Sequence, residues 1–281
     1  MQRVAIVGTG LIGASFGSAL RETGFRGPIL GVSSGPAIAE ALKVGAIDRG
    51  ATLAEAAAEC DLIFLSQSIG RILDTIRHLD PLARPGALIT DAGSTKRQIV
   101  DTARQSITRC QFLGGHPLAG KEQRGASAAE ACMFRGHTWV LTPDDPAQLE
   151  TPAAREFLAW IERAGARPLV LDADEHDRVV ALTSHLPQLA STALAATVAG
   201  RLKAPAHFRV VGPGLRDMTR LALSSYDLWR DILATNTEHI DAALAAYIQE
   251  LEDMRENLRT RRLQEEFGCG AGLARRVRQP E

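Results

Sequence analysis

The run Arg3-Val-Ala-Ile-Val7, followed at once by Gly8-Thr-Gly10-Leu-Ile-Gly13, decides the fold. The apolar residues of the first segment are contiguous rather than alternating, the mark of a strand buried on both faces of a parallel sheet. Residues 11–23 then carry helical periodicity, and Gly24 supplies a stop. The spacing G-x-G-x-x-G is common by chance. Between a strand and a helix, in a βαβ unit of about 30 residues, it reads as a dinucleotide-binding turn. Gly8 permits the tight turn, a side chain at Gly10 would hold the backbone away from a pyrophosphate, and Gly13 lets helix and strand pack closely. The amides around Leu11 and Ile12, at the positive end of the helix dipole, favour an anion.

The same rhythm continues outward. Apolar strand segments at 28–33, 61–67, 87–91, 112–114 and 138–142 alternate with helical patterns at 37–44 and 70–79. That alternation predicts an α/β fold, a Rossmann-type doubly wound parallel sheet with crossover helices, with 170–172 as its last strand. From about residue 173 strand signals cease, and 174–198 and 227–263 read as amphipathic helices. The expected organisation is a dinucleotide domain over 1–168 and an all-α C-terminal domain over 169–264. Residues 265–281, with three glycines and a basic cluster (Arg275, Arg276, Arg278), are expected as a frayed tail. Along 227–263 the residues Leu228, Ile232, Ile240, Leu244, Ile248 and Leu251 recur at helical spacing, as a face awaiting a partner would.

Composition narrows the function. A net charge of −1 gives no basic field for nucleic acid or an anionic membrane surface. The four cysteines, Cys60, Cys110, Cys132 and Cys269, are scattered and unpaired in sequence, which suits reduced thiols rather than a disulfide framework or a metal site. No signal-peptide pattern opens the chain and no apolar run approaches a membrane span, so a cytoplasmic enzyme is expected. An anionic substrate would then be held by a few local charges. At the ribose end of the dinucleotide site the second strand finishes Gly31-Val-Ser33-Ser34-Gly35. The carboxylate that NAD-binding versions place there is missing, no arginine stands nearby in sequence, and Ser33 and Ser34 can hydrogen-bond a hydroxyl or a phosphate. NAD and NADP both remain open.

Four further motifs come in order: Asp91-Ala-Gly-Ser94-Thr-Lys96, Gly114-Gly-His116-Pro-Leu-Ala-Gly120-Lys-Glu122, Ser184-His185-Leu-Pro187-Gln188, and Asp217-Met-Thr-Arg220. The first two fall where a doubly wound sheet opens its ligand crevice. With these motifs behind a dinucleotide turn, the chain resembles the prephenate/arogenate dehydrogenase family of tyrosine biosynthesis, from residue 3 to about residue 260. The resemblance implies oxidative decarboxylation of a cyclohexadienyl ring, with hydride transfer to NAD or NADP, by a homodimer joined through the helical domain. It makes His116 the catalytic acceptor of the hydroxyl proton, a task an imidazole titrating near neutrality can perform. It makes Ser94 the serine that hydrogen-bonds the same hydroxyl and orients the histidine, beside the plain alternative of a helix cap. Arg220 becomes the guanidinium that grips the ring carboxylate, Glu122 an entrance residue, and His185 a wall of the substrate pocket or simply a satisfied buried histidine. Gln188 stands where many prephenate-using relatives carry a second histidine, facing the substrate's side chain. An amide both donates and accepts, so keto acid (prephenate) and amino acid (arogenate) both stay possible. No further regulatory domain is expected after the helices, so tyrosine feedback is expected to act at the active site itself.

Two rivals remain. One is another dehydrogenase on this architecture, of the β-hydroxyacid or pyrroline-carboxylate type, which needs neither G-G-H-P nor S-H-L-P. The other is a non-catalytic dinucleotide sensor, which needs none of Ser94, His116 and Arg220.

Overall fold

The computed structural model describes residues 1–260 and 262–279. The first half runs β1 (Val4–Val7), α1 (Leu11–Glu22), β2 (Ile29–Val32), α2 (Gly35–Lys43), β3 (Arg49–Gly50), α3 (Leu53–Glu59), β4 (Leu62–Leu65), α4 (Ile69–Leu79), β5 (Leu88–Asp91), α5 (Arg97–Ser106) and β6 (Gln111–Pro117). Then come β7 (Thr138–Thr142), α6 (Pro152–Arg163) and β8 (Arg167–Val170). The strands make one eight-stranded sheet in the order β3-β2-β1-β4-β5-β6-β7-β8. β1 lies parallel between β2 and β4, with Val4 opposite both Ile29 and Leu62. The winding reverses at β1, so the carboxyl ends of β1 and β4 part to form the switch-point crevice of a doubly wound sheet.

Strand periodicity explains the contiguous apolar runs. Val4 and Ile6 join one core layer with Leu62 and Phe64, while Ala5, Val7, Ile63 and Leu65 join the opposite layer. The first layer centres on an aromatic cluster in which Phe16 stands 4.4 Å from Phe64 and Trp139 stands 5.0 Å from Phe134, ring centre to ring centre. Truncating one such ring to Ala costs about 3–5 kcal/mol.

Several expectations need correction. β7 pairs antiparallel with β6, Gly115 opposite Leu141. A parallel neighbour needs a crossover that returns the chain to the start of the sheet, and residues 118–137 provide only a short 3₁₀ turn over Ala126–Ala128. The last strand is Arg167–Val170, not 170–172, and it crosses the expected boundary at 168. Asp172 is instead the N-cap of the next helix, accepting from the amides of Asp174 (2.8 Å) and Glu175 (3.2 Å). The two-residue β3 gave no sequence signal.

The helical half comprises α7 (Ala173–Val180), α8 (Leu186–Ala199), α9 (Pro213–Thr219), α10 (Tyr226–Thr235), α11 (Thr237–Asn257) and α12 (Gln264–Arg276). The expected helix over 174–198 is interrupted by a π-helical turn, Ala181–His185, directly ahead of Pro187. Proline has no amide hydrogen to complete the α-helical ladder, and the wider turn absorbs that defect. The stretch 227–263 breaks at Asn236. The tail expected from 265 forms α12: acids in the first turn (Glu265, Glu266) and bases in the last (Arg275, Arg276) match the helix dipole and outweigh the glycines. The expected partner face divides. Ile232 and Ile240 are buried within the chain, while Leu228, Ile248 and Leu251 stay about half exposed. Among the described residues no helix is long and apolar enough to cross a membrane.

Candidate active site

The glycine turn is built as its spacing requires. Gly8 has φ +100°, and a Cβ there would lie 2.7 Å from the Ser66 carbonyl group. A Cβ on Gly13 would come within 2.1 Å of the Gly8 oxygen, so only glycine lets α1 approach β1. A Cβ on Gly10 would meet nothing within 4 Å. The space it would fill belongs to a crevice of about 460 Å³ bordered by Gly8, Gly10, Ser33, Ser34, Gln67 and Arg71. Gly10 caps α1 without a side chain, leaving the amides of Leu11, Ile12 and Gly13 for a ligand. These residues fit a dinucleotide, with the pyrophosphate at the head of α1. An arginine distant in sequence also borders this crevice. It is Arg71, in the first turn of α4, carried beside Ser33 because β4 and β2 flank β1.

Next to the crevice, at the ends of β5 and β6, lies a buried ionic hub. The Asp91 carboxylate accepts from the amides of Gly93 (2.8 Å) and Gly115 (3.0 Å) and pairs with Lys96. Lys96 Nζ also donates to the Gly115 carbonyl at 2.7 Å. Both side chains are fully buried. Burial pulls the lysine below its ordinary pKa, and Asp91 pulls against it. The hub ties the Gly93–Lys96 loop, which carries Ser94, to the strand that carries His116.

His116 occupies the penultimate position of β6, with Nδ1 2.8 Å from Nε2 of His176 on α7. His176 Nδ1 lies 2.8 Å from Asp177 Oδ1. The Asp177 carboxylate also accepts from the amides of Lys96 (2.7 Å) and Arg97 (2.9 Å), capping α5 from the helical domain. Burial holds both histidines below the ordinary imidazole value. For His116 the shift is large, and the nearby His176, Lys96 and His185 add to it. Both rings are therefore neutral at pH 7, and the chain of bonds sets their tautomers. His176 donates from Nδ1 to Asp177 and accepts at Nε2 from Nδ1–H of His116. The lone pair of His116 Nε2 is left free, as a proton acceptor requires. The ring is thus held by His176 and Asp177, while Ser94, which the resemblance makes an orienting residue, makes no hydrogen bond to it among the described residues. The Ser94 hydroxyl, partly buried in the neighbouring loop, has no hydrogen-bond partner among the described residues and is free for a ligand.

His185 and Asn236 join the same assembly. The Asn236 amide donates to the Asp177 carbonyl (2.8 Å) and to His185 Nδ1 (3.2 Å), so His185 keeps its proton on Nε2. Its ring stands edge-on to Trp229 at 5.8 Å. Burial, the largest cause, brings its pKa down to about 4 from 6.5. That difference corresponds to roughly 3 kcal/mol in favour of the neutral folded form. Because the unfolded chain takes the proton first, this stability is present above pH 6.5 and is lost as pH falls from 6.5 toward 4. The urea midpoint is expected to drop between pH 7 and pH 5, and His185→Gln should flatten that drop. An unchanged slope in the variant would mean that His185 is not the group responsible.

The remaining expected residues lie on the helical side. Arg220 pairs with Glu122 at 3.1 Å, both side chains largely exposed, across the gap between the loop after β6 and the end of α9. A second link, from Arg124 to Ser225, closes the same gap. Gln188 is buried, and its amide nitrogen is committed to the Leu221 carbonyl (2.9 Å) and to Thr192 (3.2 Å). It holds the Arg220–Leu223 turn in place. Among the residues sequence reasoning missed, His176 carried a usable signal. It stands four residues before Val180, which puts both on the buried face of α7.

The comparisons with known proteins agree with this architecture. Residues 16–167 match the family model of the prephenate dehydrogenase nucleotide-binding domain, and residues 172–268 match that of the prephenate dehydrogenase dimerization domain. The chain is 35% identical over 242 residues to the prephenate dehydrogenase of Lactococcus lactis, an alignment that takes in 85% of this chain and 66% of the relative. It is 30% identical over 266 residues to the cyclohexadienyl dehydrogenase of Zymomonas mobilis, across 90% of this chain and 87% of that one. A crystal structure of prephenate dehydrogenase from Aquifex aeolicus, in complex with hydroxyphenyl propionate and NAD+, matches with a TM-score of 0.88 at 29% identity over 99% of both chains. With both halves matched in order and a glycine cradle beside the histidine relay, the chain belongs to the prephenate dehydrogenase family.

Proposed function

We propose that this chain oxidatively decarboxylates prephenate to 4-hydroxyphenylpyruvate with hydride transfer to NAD(P), a step of tyrosine biosynthesis. The observation that carries this reading is the free Nε2 lone pair of His116, fixed by His176 and Asp177, beside a dinucleotide cradle. The nicotinamide supplies the hydride acceptor. His116 Nε2 accepts the proton of the ring hydroxyl, and the Ser94 hydroxyl holds the same oxygen. As the opposite carboxylate departs as CO2 its bonding pair enters the ring, which becomes aromatic, and the imidazolium returns the proton to the phenolate oxygen. Most of the driving force is aromatisation, so the protein's part is alignment and charge management.

Arg220 is the residue for the departing carboxylate. Its pair with Glu122 is exposed, and such pairs contribute about 0–1 kcal/mol, so an incoming carboxylate competes on nearly equal terms. Charge-assisted hydrogen bonds of about 1.5–3 kcal/mol put the expected rise in KM for Arg220→Ala at roughly 10–100-fold, with kcat changed far less. An unchanged KM would remove Arg220 from the binding site.

Gln188 favours a second substrate, arogenate, acted on by the same chemistry. With its nitrogen committed to Leu221 and Thr192, the side chain offers its carbonyl oxygen, an acceptor suited to an ammonium group. Reduced-nicotinamide absorbance, followed with prephenate and with arogenate, each with NAD and with NADP, tests both readings. No turnover in any of the four mixtures, with dinucleotide still bound, would transfer the assignment to another dehydrogenase or to a sensor. We assign the functional form as a cytoplasmic homodimer, supported by the dimerization-domain match and by the exposed Leu228, Ile248 and Leu251. A single-chain mass by light scattering at micromolar concentration would refute the dimer.

A further inference from the structure

We propose that the adenosine end of the dinucleotide crevice is a 2′-phosphate site, so that the enzyme prefers NADP to NAD. The inference rests on the dinucleotide-dehydrogenase reading and goes beyond it to the identity of the cofactor. Three features of the crevice carry it.

The first is the pair of residues directly after β2. Where a carboxylate would accept from a ribose 2′-hydroxyl and repel a phosphate, the chain presents Ser33 and Ser34. Both are exposed to the crevice, and neither makes a side-chain hydrogen bond among the described residues. Ser34 is the N-cap residue of α2, yet its hydroxyl does not cap the helix. Hydroxyl donors and the amides of Gly35 and Ala37, which flank the amide-less Pro36, are thus available together at the positive end of a helix dipole.

The second feature is Arg71. It borders the same crevice as Ser33 and Ser34, is exposed, and forms no ion pair or hydrogen bond among the described residues. The other side chains bordering the crevice are glycines, Val32, Ser66, Gln67 and Ser68, none of them acidic. An uncommitted guanidinium facing a pocket without carboxylates suits a dianionic phosphate, which it can bind bidentately.

The third is geometric. Arg71 lies in the first turn of α4, after β4, and Ser33 directly after β2. β1, with the pyrophosphate turn, lies between those two strands. The serines and the arginine therefore approach the adenosine half from two sides, with the Gly10 cradle between them.

Isothermal titration with NAD, NADP, 5′-AMP and 2′,5′-ADP tests the proposal without any turnover. NADP is expected to bind at least ~10-fold more tightly than NAD, and 2′,5′-ADP more tightly than 5′-AMP by a similar factor, as one charge-assisted contact implies. Arg71→Ala should abolish most of both differences by weakening only the phosphorylated member of each pair, and Ser33→Asp should reverse them. Raising the salt concentration should shrink the preference. NAD binding as tightly as NADP to the unaltered protein would overturn the inference. So would a parallel loss of NAD and NADP affinity in Arg71→Ala, which would mean that Arg71 only stacks on adenine. If neither dinucleotide binds, the inference and the dehydrogenase reading fall together. If NADP binds preferentially but neither cyclohexadienyl acid is oxidised, the site stands and only the substrate assignment fails.

Discussion

His116→Asn is expected to lower kcat by roughly 10²–10⁴-fold, the range that a positioned general base contributes, while leaving dinucleotide affinity and thermal stability near those of the parent. Asparagine can keep the hydrogen bond to His176 Nε2 from the place of Nδ1, so the relay's geometry survives. What is lost is the lone pair that accepts a proton. In the unaltered enzyme, burial, reinforced by the neighbouring His176, Lys96 and His185, holds the His116 pKa well below the ordinary value of 6.5. The neutral, active form therefore dominates above that lowered value, and kcat/KM should stay level as pH falls from 8 through 6.5 and decline only below it. His176 acts through His116 and is a positioning residue. His176→Leu leaves Nδ1–H of His116 without its acceptor and releases both tautomer and ring angle, for an expected kcat loss of roughly 10–10²-fold with KM little changed. His176→Gln places an amide oxygen near the position of Nε2 and should restore part of the rate. Equal kcat in the leucine and glutamine variants, or full turnover by His116→Asn, would dissolve the relay.

Whether such features are legible beforehand depends on how local their causes are. The Gly8–Gly13 turn can be read directly because each glycine answers a contact inside one βαβ unit: a positive φ, a helix packed on its own strand, an open cradle. Ser94, His116 and Arg220 are legible as motif residues, but their partners are not. The direction of β7 cannot be taken from Thr-Trp-Val-Leu-Thr, since an apolar run carries no orientation, and only the missing crossover helix sets it. Arg71 was invisible because the distance that matters runs across β4, β1 and β2, not along the chain. Asp-Ala-Asp-Glu-His-Asp-Arg reads as a solvated helix start, in which only the spacing of His176 to Val180 points to burial and nothing marks Asp177. Tertiary packing turned one face of that helix toward α5 and made its polar residues a buried cap and a relay.

Lys96→Met should be among the most damaging single changes to stability. Asp91 and Lys96 are fully buried and bonded to each other, and removing one partner of a buried ion pair leaves an uncompensated charge at a cost of about 3–5 kcal/mol. For a chain of this size that loss lowers the melting temperature by roughly 6–20 °C. Asp91 would retain the amides of Gly93 and Gly115, which temper the penalty without replacing a cation. A double-mutant cycle separates the pair from the packing. Asp91→Asn with Lys96→Met removes both charges, and the double variant should be less destabilised than the sum of the singles by about 1–3 kcal/mol. If Lys96→Met does not fold, the double variant compared with Asp91→Asn still tests the point, since loss of the lysine should then cost little. A coupling under about 0.5 kcal/mol would mean that the two side chains are not held as an ion pair. The hub also bears on rate. Ser94 and His116 hang from the two segments it joins, and a misplacement near 1 Å can cost about 10²-fold. The double variant should therefore regain stability without regaining full kcat, because methionine cannot donate to the Gly115 carbonyl that Lys96 holds at 2.7 Å.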